Sequence, residues 1–133
     1  EIGVDWLDAL GTHLLLDLKE CNSKLLDDMQ YLRQTMISIA NEAGATVVGE
    51  KFHKFSPHGV TGIVAIAESH ICLHTWPEYN YAAVDIFSCG SVFKPHMAAE
   101  LIVKHLQSGI PEITEVRRGL LTEMTTAPLQ LHS

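Results

Sequence analysis

GIVAIAESHICLHTWPEYNYAAVDIFSC, residues 62–89, is the stretch on which the fold turns. GIVAIAES (62–69) is a continuous apolar run rich in Ile and Ala, which suits a strand covered on both faces or central in a sheet. HICLHTW (70–76) continues as strand. Pro77 ends that segment, because it has no N–H to give to a ladder. YAAVDIFSC (81–89) reads as another strand, closed by Gly90. Short turns between neighbouring strands imply mostly antiparallel pairing.

Upstream, ATVVGEKFHKF (45–55) is strand-like, with Gly49 placed for a bulge or turn, and Ser56-Pro57-His58-Gly59 is a turn. GTHLLLDLKE (11–20) is a first strand. Asn22 and Ser23 are good N-caps, and Asp27 and Asp28 suit a helix's first turn. Leu25, Met29, Leu32, Met36, Ile39, Ala40 and Ala43 then recur at three- and four-residue steps. That predicts one amphipathic helix of about five turns, closed by Gly44. Downstream, Pro95 opens a second helix to about Gln107, with Gly109 after it. EITEVRRG (112–119) alternates as a last strand. The predicted class is α+β: a two-layer sandwich, with a mostly antiparallel sheet and two helices packed on one face.

The 133 residues are expected to form a single domain, with 1–10 as an N-terminal extension and 120–133 as a loosely held tail. Hydrophobic residues make up 47% and charged residues 19%, enough apolar content to build a core and argue against disorder. The net charge of −7 disfavours nucleic acid and anionic membranes as partners. No apolar run approaches the ~20 residues of a membrane span, and the first residues lack the pattern of a signal peptide. Cys21, Cys72 and Cys89 are odd in number and irregularly spaced, so no disulfide framework is expected and a reducing cytoplasm is the default.

Polar groups interrupt the apolar strands in one place. Glu68, Ser69, His70, Cys72 and His74 lie close together, and Cys89 lies one strand away. His70, Cys72 and His74 would share one face of a strand and could suggest zinc. Same-side neighbours sit ~6.5–7 Å apart, however, which is awkward for one ion, and no metal is expected. A Cys–His nucleophile pair, Cys89 or Cys72 with His74, is a further reading. The chain has no clear helix N-terminus to activate the thiol. Taken singly, each histidine or cysteine is better read as an ordinary packed or surface side chain. That reading is kept for Cys72 and for His13, His53, His96, His105 and His132.

Read as one string, the residues resemble a known family. Glu68-Ser69-His70, His74-Thr75-Trp76-Pro77-Glu78-Tyr79, Tyr81-Ala82-Ala83-Val84-Asp85 and Phe87-Ser88-Cys89-Gly90 are similar to the small prokaryotic S-adenosylmethionine decarboxylase proenzymes. Phe52-His53-Lys54-Phe55, Gly59-Val60-Thr61-Gly62 and Gly11-Thr12-His13 match as well, so the resemblance spans roughly residues 11–119.

The resemblance implies self-cleavage between Glu68 and Ser69. The Ser69 hydroxyl would attack the Glu68 carbonyl, convert the amide to an ester, and leave a pyruvoyl cofactor made from Ser69 after elimination and hydrolysis. A strained, tight strand-to-strand junction would help, since amides do not rearrange readily. His74 is implied as the base for elimination, and imidazole suits that task near neutral pH. Thr61 stands where the family usually carries Ser; it keeps the supporting hydroxyl and adds a methyl group. In the mature enzyme the ketone takes up the substrate amine and serves as an electron sink. Cys89 matches the acid that reprotonates the α-carbon. Phe55 matches an aromatic that stacks on adenine, and Glu78 a carboxylate that holds the ribose hydroxyls. Trp76 is read as packing rather than as a contact.

The implied substrate is S-adenosylmethionine, the product an aminopropyl donor for spermidine synthesis, and the assembly a homodimer of cleaved chain pairs with sites near the interface. Two alternatives stand beside it: the same pyruvoyl chemistry on arginine or ornithine, and a non-enzymatic metal-binding module. Phe55 and Glu78 favour a nucleoside over a bare amino acid. On a straight strand Ser69 and His74 would face opposite sides. Either the backbone bends between them or cleavage frees the new terminus to swing.

Overall fold

The computed structural model describes residues 9–121. The extension over 1–8, His132 and the tail beyond Leu121 lie outside the described residues. Within them the chain runs β1 (Ala9–Lys19), α1 (Ser23–Leu26), α2 (Met29–Glu42), β2 (Val47–Lys54), β3 (Val60–Ile66), β4 (Ser69–Trp76), a 3₁₀ turn (Pro77–Tyr79), β5 (Tyr81–Ser88), α3 (Pro95–Leu106) and β6 (Ile110–Leu120). Ala9 and Leu10 belong to β1, and Leu120 pairs back onto Ala9, so the first and last strands are longer than the sequence stretches read for them.

The six strands form one sheet in the order β2-β3-β4-β5-β1-β6, and every neighbouring pair is antiparallel. β2 to β5 is a meander; β1 then inserts between β5 and β6. The ladder shifts register between Val47 and Gly49, so of the bulge or turn expected at Gly49 the structure has the bulge. Alternate strand residues, among them Leu14, Leu16, Leu18, Val64, Ile71, Leu73 and Ile86, are fully buried against Leu32, Met36, Ile102 and Leu106 of the helices. Truncating a buried leucine of this kind to alanine costs about 2–5 kcal/mol. The result is the expected two-layer α+β sandwich.

Two details differ from the sequence reading. The helix over 23–43 is interrupted. Asn22 caps the single turn of α1, accepting from Lys24 N–H and Leu25 N–H. Asp28 then adopts an extended backbone and caps α2 through the Tyr31 N–H at 3.0 Å. Asp27 and Asp28 thus sit between two helices rather than inside a first turn. Ala43 and Gly44, the latter at φ 92, close α2 as expected.

The run 62–69 is not one strand either. Ile66 pairs with Ser69 across a two-residue turn at Ala67-Glu68. β3 lies inside the sheet but is covered by helices on one face alone: Ile63 stays 40% exposed. Leu15, Trp76 and Val116 are exposed on that same open face. A one-sided antiparallel sheet can face water, yet this face is unusually rich in large apolar side chains.

Candidate active site

The Ala67-Glu68 turn lacks Gly, Asn or Pro, and main-chain partners hold it instead. Ala67 N–H donates to Thr46 O at 2.8 Å. Thr46 N–H donates to the Glu68 carboxylate at 3.2 Å. The Glu68 carbonyl accepts the Cys89 N–H at 3.1 Å and lies 3.1 Å from the Cys89 thiol, which also donates to it. Ser69 has φ 152, a conformation that residues with a side chain rarely adopt. Such strain persists where surrounding contacts over-determine it, and these four contacts do so. The Glu68–Ser69 bond therefore joins a strained residue to a carbonyl already polarised by two donors.

The backbone does turn at Ser69. Its hydroxyl lies 3.3 Å from Nδ1 of His70. The His70 ring leans on Phe87, 5.9 Å between centroids. Beside Cys89, a cleft of about 370 Å³ opens between Leu10, Gly11, Phe87 and Gly119. The Arg118 guanidinium lies 5.0 Å over the Phe87 ring there.

Thr61 and His74 face each other across β3 and β4, with Oγ1 and Nδ1 3.1 Å apart. They line a second cleft, of about 310 Å³, with Phe55, Trp76, Glu78 and His58. The 3₁₀ turn after Pro77, with Asn80 left-handed at φ 53, presents Glu78 to this cleft. His58 Nε2 is 3.1 Å from the Glu78 carboxylate. Phe55 is 46% exposed and meets His53 edge to face at 4.6 Å.

The loop that carries Phe55 and His58 is clamped. Phe55 N–H donates to Gly59 O at 2.8 Å. Asp27 accepts the Gly59 N–H at 2.8 Å and pairs with Lys54 Nζ at 3.0 Å. Lys54 Nζ also donates to Phe55 O at 3.0 Å. The Gly59 N–H, and next the Lys54 ammonium, hold the Asp27 carboxyl below its ordinary 3.8. Nothing in the local sequence marked Asp27 or His58 as part of this site, because their partners come from other elements. Trp76, set aside as packing, lines the cleft and stacks at 5.4 Å on Tyr81. The Tyr81 hydroxyl donates to Asp17, and burial first, then Asp17, pushes its pKa up to about 12.

The predicted residues therefore gather in two groups. Glu68, Ser69 and Cys89 meet at one end of the open face. Thr61, His74, Phe55 and Glu78 meet at the other. Ser69 and His74 lie five residues apart along β4, about 16 Å. The zinc reading finds no support in the geometry: His70 and His74 turn their Nδ1 atoms to different hydroxyls, and no three ligating side chains converge among the described residues. Burial, and next Asp85, raises the pKa of the Cys72 thiol, which suits an inert side chain.

A family model described as S-adenosylmethionine decarboxylase matches residues 12–119. The S-adenosylmethionine decarboxylase proenzyme of Thermodesulfovibrio yellowstonii is 46% identical over 114 residues, covering 86% of this chain and 84% of the relative. The proenzyme of Thermotoga maritima is 43% identical over 118 residues, with 89% and 91% covered. The crystal structure of the adenosylmethionine decarboxylase from Aquifex aeolicus superposes with a TM-score of 0.82 at 32% identity, over 90% of this chain and 99% of that one. The chain belongs to the S-adenosylmethionine decarboxylase family.

Proposed function

We propose that this chain cuts its own backbone between Glu68 and Ser69 and then, as a pyruvoyl-dependent enzyme, decarboxylates S-adenosylmethionine. The observation that carries the reading is the Glu68–Ser69 junction: a strained serine beside a carbonyl that accepts two hydrogen bonds from Cys89.

Attack of Ser69 Oγ on the Glu68 carbonyl carbon places negative charge on the carbonyl oxygen. Preset donors aimed at such an oxygen lower the barrier in the manner of an oxyanion hole. The C–N bond then breaks and leaves an ester. Removal of the Ser69 Cα proton by His74 expels the Glu68 carboxylate. Hydrolysis of the remaining enamine releases ammonia and caps the second chain with a ketone. The residues present suit that group, since its precursor is half-buried beside a thiol and a largely apolar cleft.

The ketone, once formed, supplies an electron sink for loss of carbon dioxide. Around it, the chain's own groups bind and transfer protons. Phe55 offers a face to adenine and Glu78 a carboxylate to the ribose hydroxyls. The Cys89 thiol returns a proton to the substrate's α-carbon. The product supplies aminopropyl groups for polyamine synthesis. Three free thiols suit a reducing cytoplasm.

His74 is too far from Ser69 in its own chain to take its Cα proton. Two copies stacked through their open faces, running in opposite directions, would set the Ser69 end of one over the His74 end of the other. They would also cover Leu15, Ile63, Trp76 and Val116. We therefore place the active site between two protomers, each giving half.

Denaturing mass spectrometry tests the reading. The expected result is two fragments, 1–68 and 69–133, the second beginning with a ketone at position 69, with carbon dioxide released from S-adenosylmethionine. Ser69→Ala should stay intact and inactive. Activity surviving in Ser69→Ala would sink the proposal.

A further inference from the structure

The first step of cleavage needs a base for the Ser69 hydroxyl proton, and none of the groups given a role in the proposed reaction meets that hydroxyl within its own chain. His74 is bonded to Thr61 at the other end of β4. Cys89 donates to the Glu68 carbonyl and so faces the oxygen, not the hydroxyl. The group that does meet it is His70, with Nδ1 3.3 Å from Ser69 Oγ. The His70 ring lies beside Phe87 on the open face, 5.9 Å between centroids.

We propose that His70 is a catalytic residue of self-processing, the general base of the initial acyl shift. As Ser69 Oγ bonds to the Glu68 carbonyl carbon, its proton passes to His70 Nδ1. The carbonyl π electrons move to the oxygen held by Cys89. When the tetrahedral centre collapses, the C–N bond breaks and the proton returns from His70 to the Ser69 nitrogen. No proton is gained or lost, and no co-reactant is needed. A positioned general base is worth about 10²–10⁴-fold in rate. His74, from the other protomer, then acts after His70, on the ester, so two histidines serve two successive steps.

This inference rests on the cleavage reading above, and the test separates the two. Intact chain of wild type, His70→Ala, His70→Gln, His74→Ala and Ser69→Ala is followed by denaturing electrophoresis, with and without added hydroxylamine, which cuts esters but spares amides. His70→Gln keeps a polar side chain without a base and guards against loss of folding. Both His70 variants should cleave at least about tenfold more slowly than wild type, with no hydroxylamine-labile bond. Imidazole in the buffer should partly restore His70→Ala. His74→Ala should instead accumulate a hydroxylamine-labile ester. Wild-type cleavage rates in both His70 variants would overturn the proposal. So would a labile ester in them, or a failure of imidazole to rescue His70→Ala whose thermal midpoint is unchanged. Cleavage persisting in Ser69→Ala would instead overturn the underlying reading.

Discussion

The thiol of Cys89 and the carbonyl oxygen of Glu68 lie 3.1 Å apart, and the Cys89 backbone N–H donates to the same oxygen. A residue expected to act on substrate is thus already engaged with the bond to be cut. Cys89→Ala removes the thiol but keeps the N–H. Self-cleavage should slow by about tenfold, less than the ~10²–10³-fold that loss of a strong oxyanion donor costs, because a thiol is a weak donor and the N–H remains. Decarboxylation by the fully cleaved variant should fall much further, because the reprotonating acid is gone. Fragment time courses and carbon dioxide release measure the two effects separately. An unchanged cleavage rate would mean that the thiol contact is idle in processing.

The separation of Ser69 and His74 gives a test of the shared site. Ser69→Ala and His74→Ala chains are each expected to stay uncleaved alone. Coexpressed, they form mixed dimers in which one of the two sites has both native residues. About a quarter of all sites should then recover if protomers pair at random and each site draws one residue from each chain. No recovery would place both residues in one chain.

Thr61 holds Nδ1 of His74. Thr61→Val keeps the shape and removes the hydroxyl, which should slow the elimination by about tenfold, the worth of one hydrogen bond near 1 kcal/mol or slightly more. The ester should then persist and be cut by hydroxylamine. Thr61→Ser should cleave at least as fast as wild type, since it keeps the hydroxyl and sheds the methyl group.

Asp27 joins stability to the loop that carries Phe55. Its carboxyl is held below 3.8, so the folded state favours the charged form. The stabilisation is present above that ordinary value and is lost as pH falls through the lowered one. Thermal midpoints from about pH 2.5 to pH 7 should show Asp27→Asn below wild type at neutral pH, with the two curves converging at the acid end. A constant gap at every pH would exclude the charge as the source. Because the clamped loop carries Phe55, the variant should also raise KM for S-adenosylmethionine. Its self-cleavage should fall less than substrate binding, because Thr61 and His74 are held by the sheet rather than by the clamped loop.

Much of this was legible in the chain itself. The strand-like runs GTHLLLDLKE and YAAVDIFSC, the alternation of EITEVRRG and the three- and four-residue apolar step from Leu25 to Ala43 report local geometry, and they yielded the strands, the long helix and the sandwich. The string from Glu68 to Cys89 carried the chemistry. The helix break at Asp27-Asp28 was not legible, because an aspartate serves a first turn or a cap equally well until its partners arrive. Here Gly59 and Lys54 come from another layer. Nor was the turn at Ala67-Glu68, which depends on hydrogen bonds from Thr46 and Cys89 rather than on turn-forming residues. Sequence by itself, through the family resemblance it carries, named the residues proposed to react. Only the tertiary structure decided that Ser69 and His74 stand at opposite ends of one strand and that Cys89 meets the scissile carbonyl, because strand register and long-range hydrogen bonds set those distances.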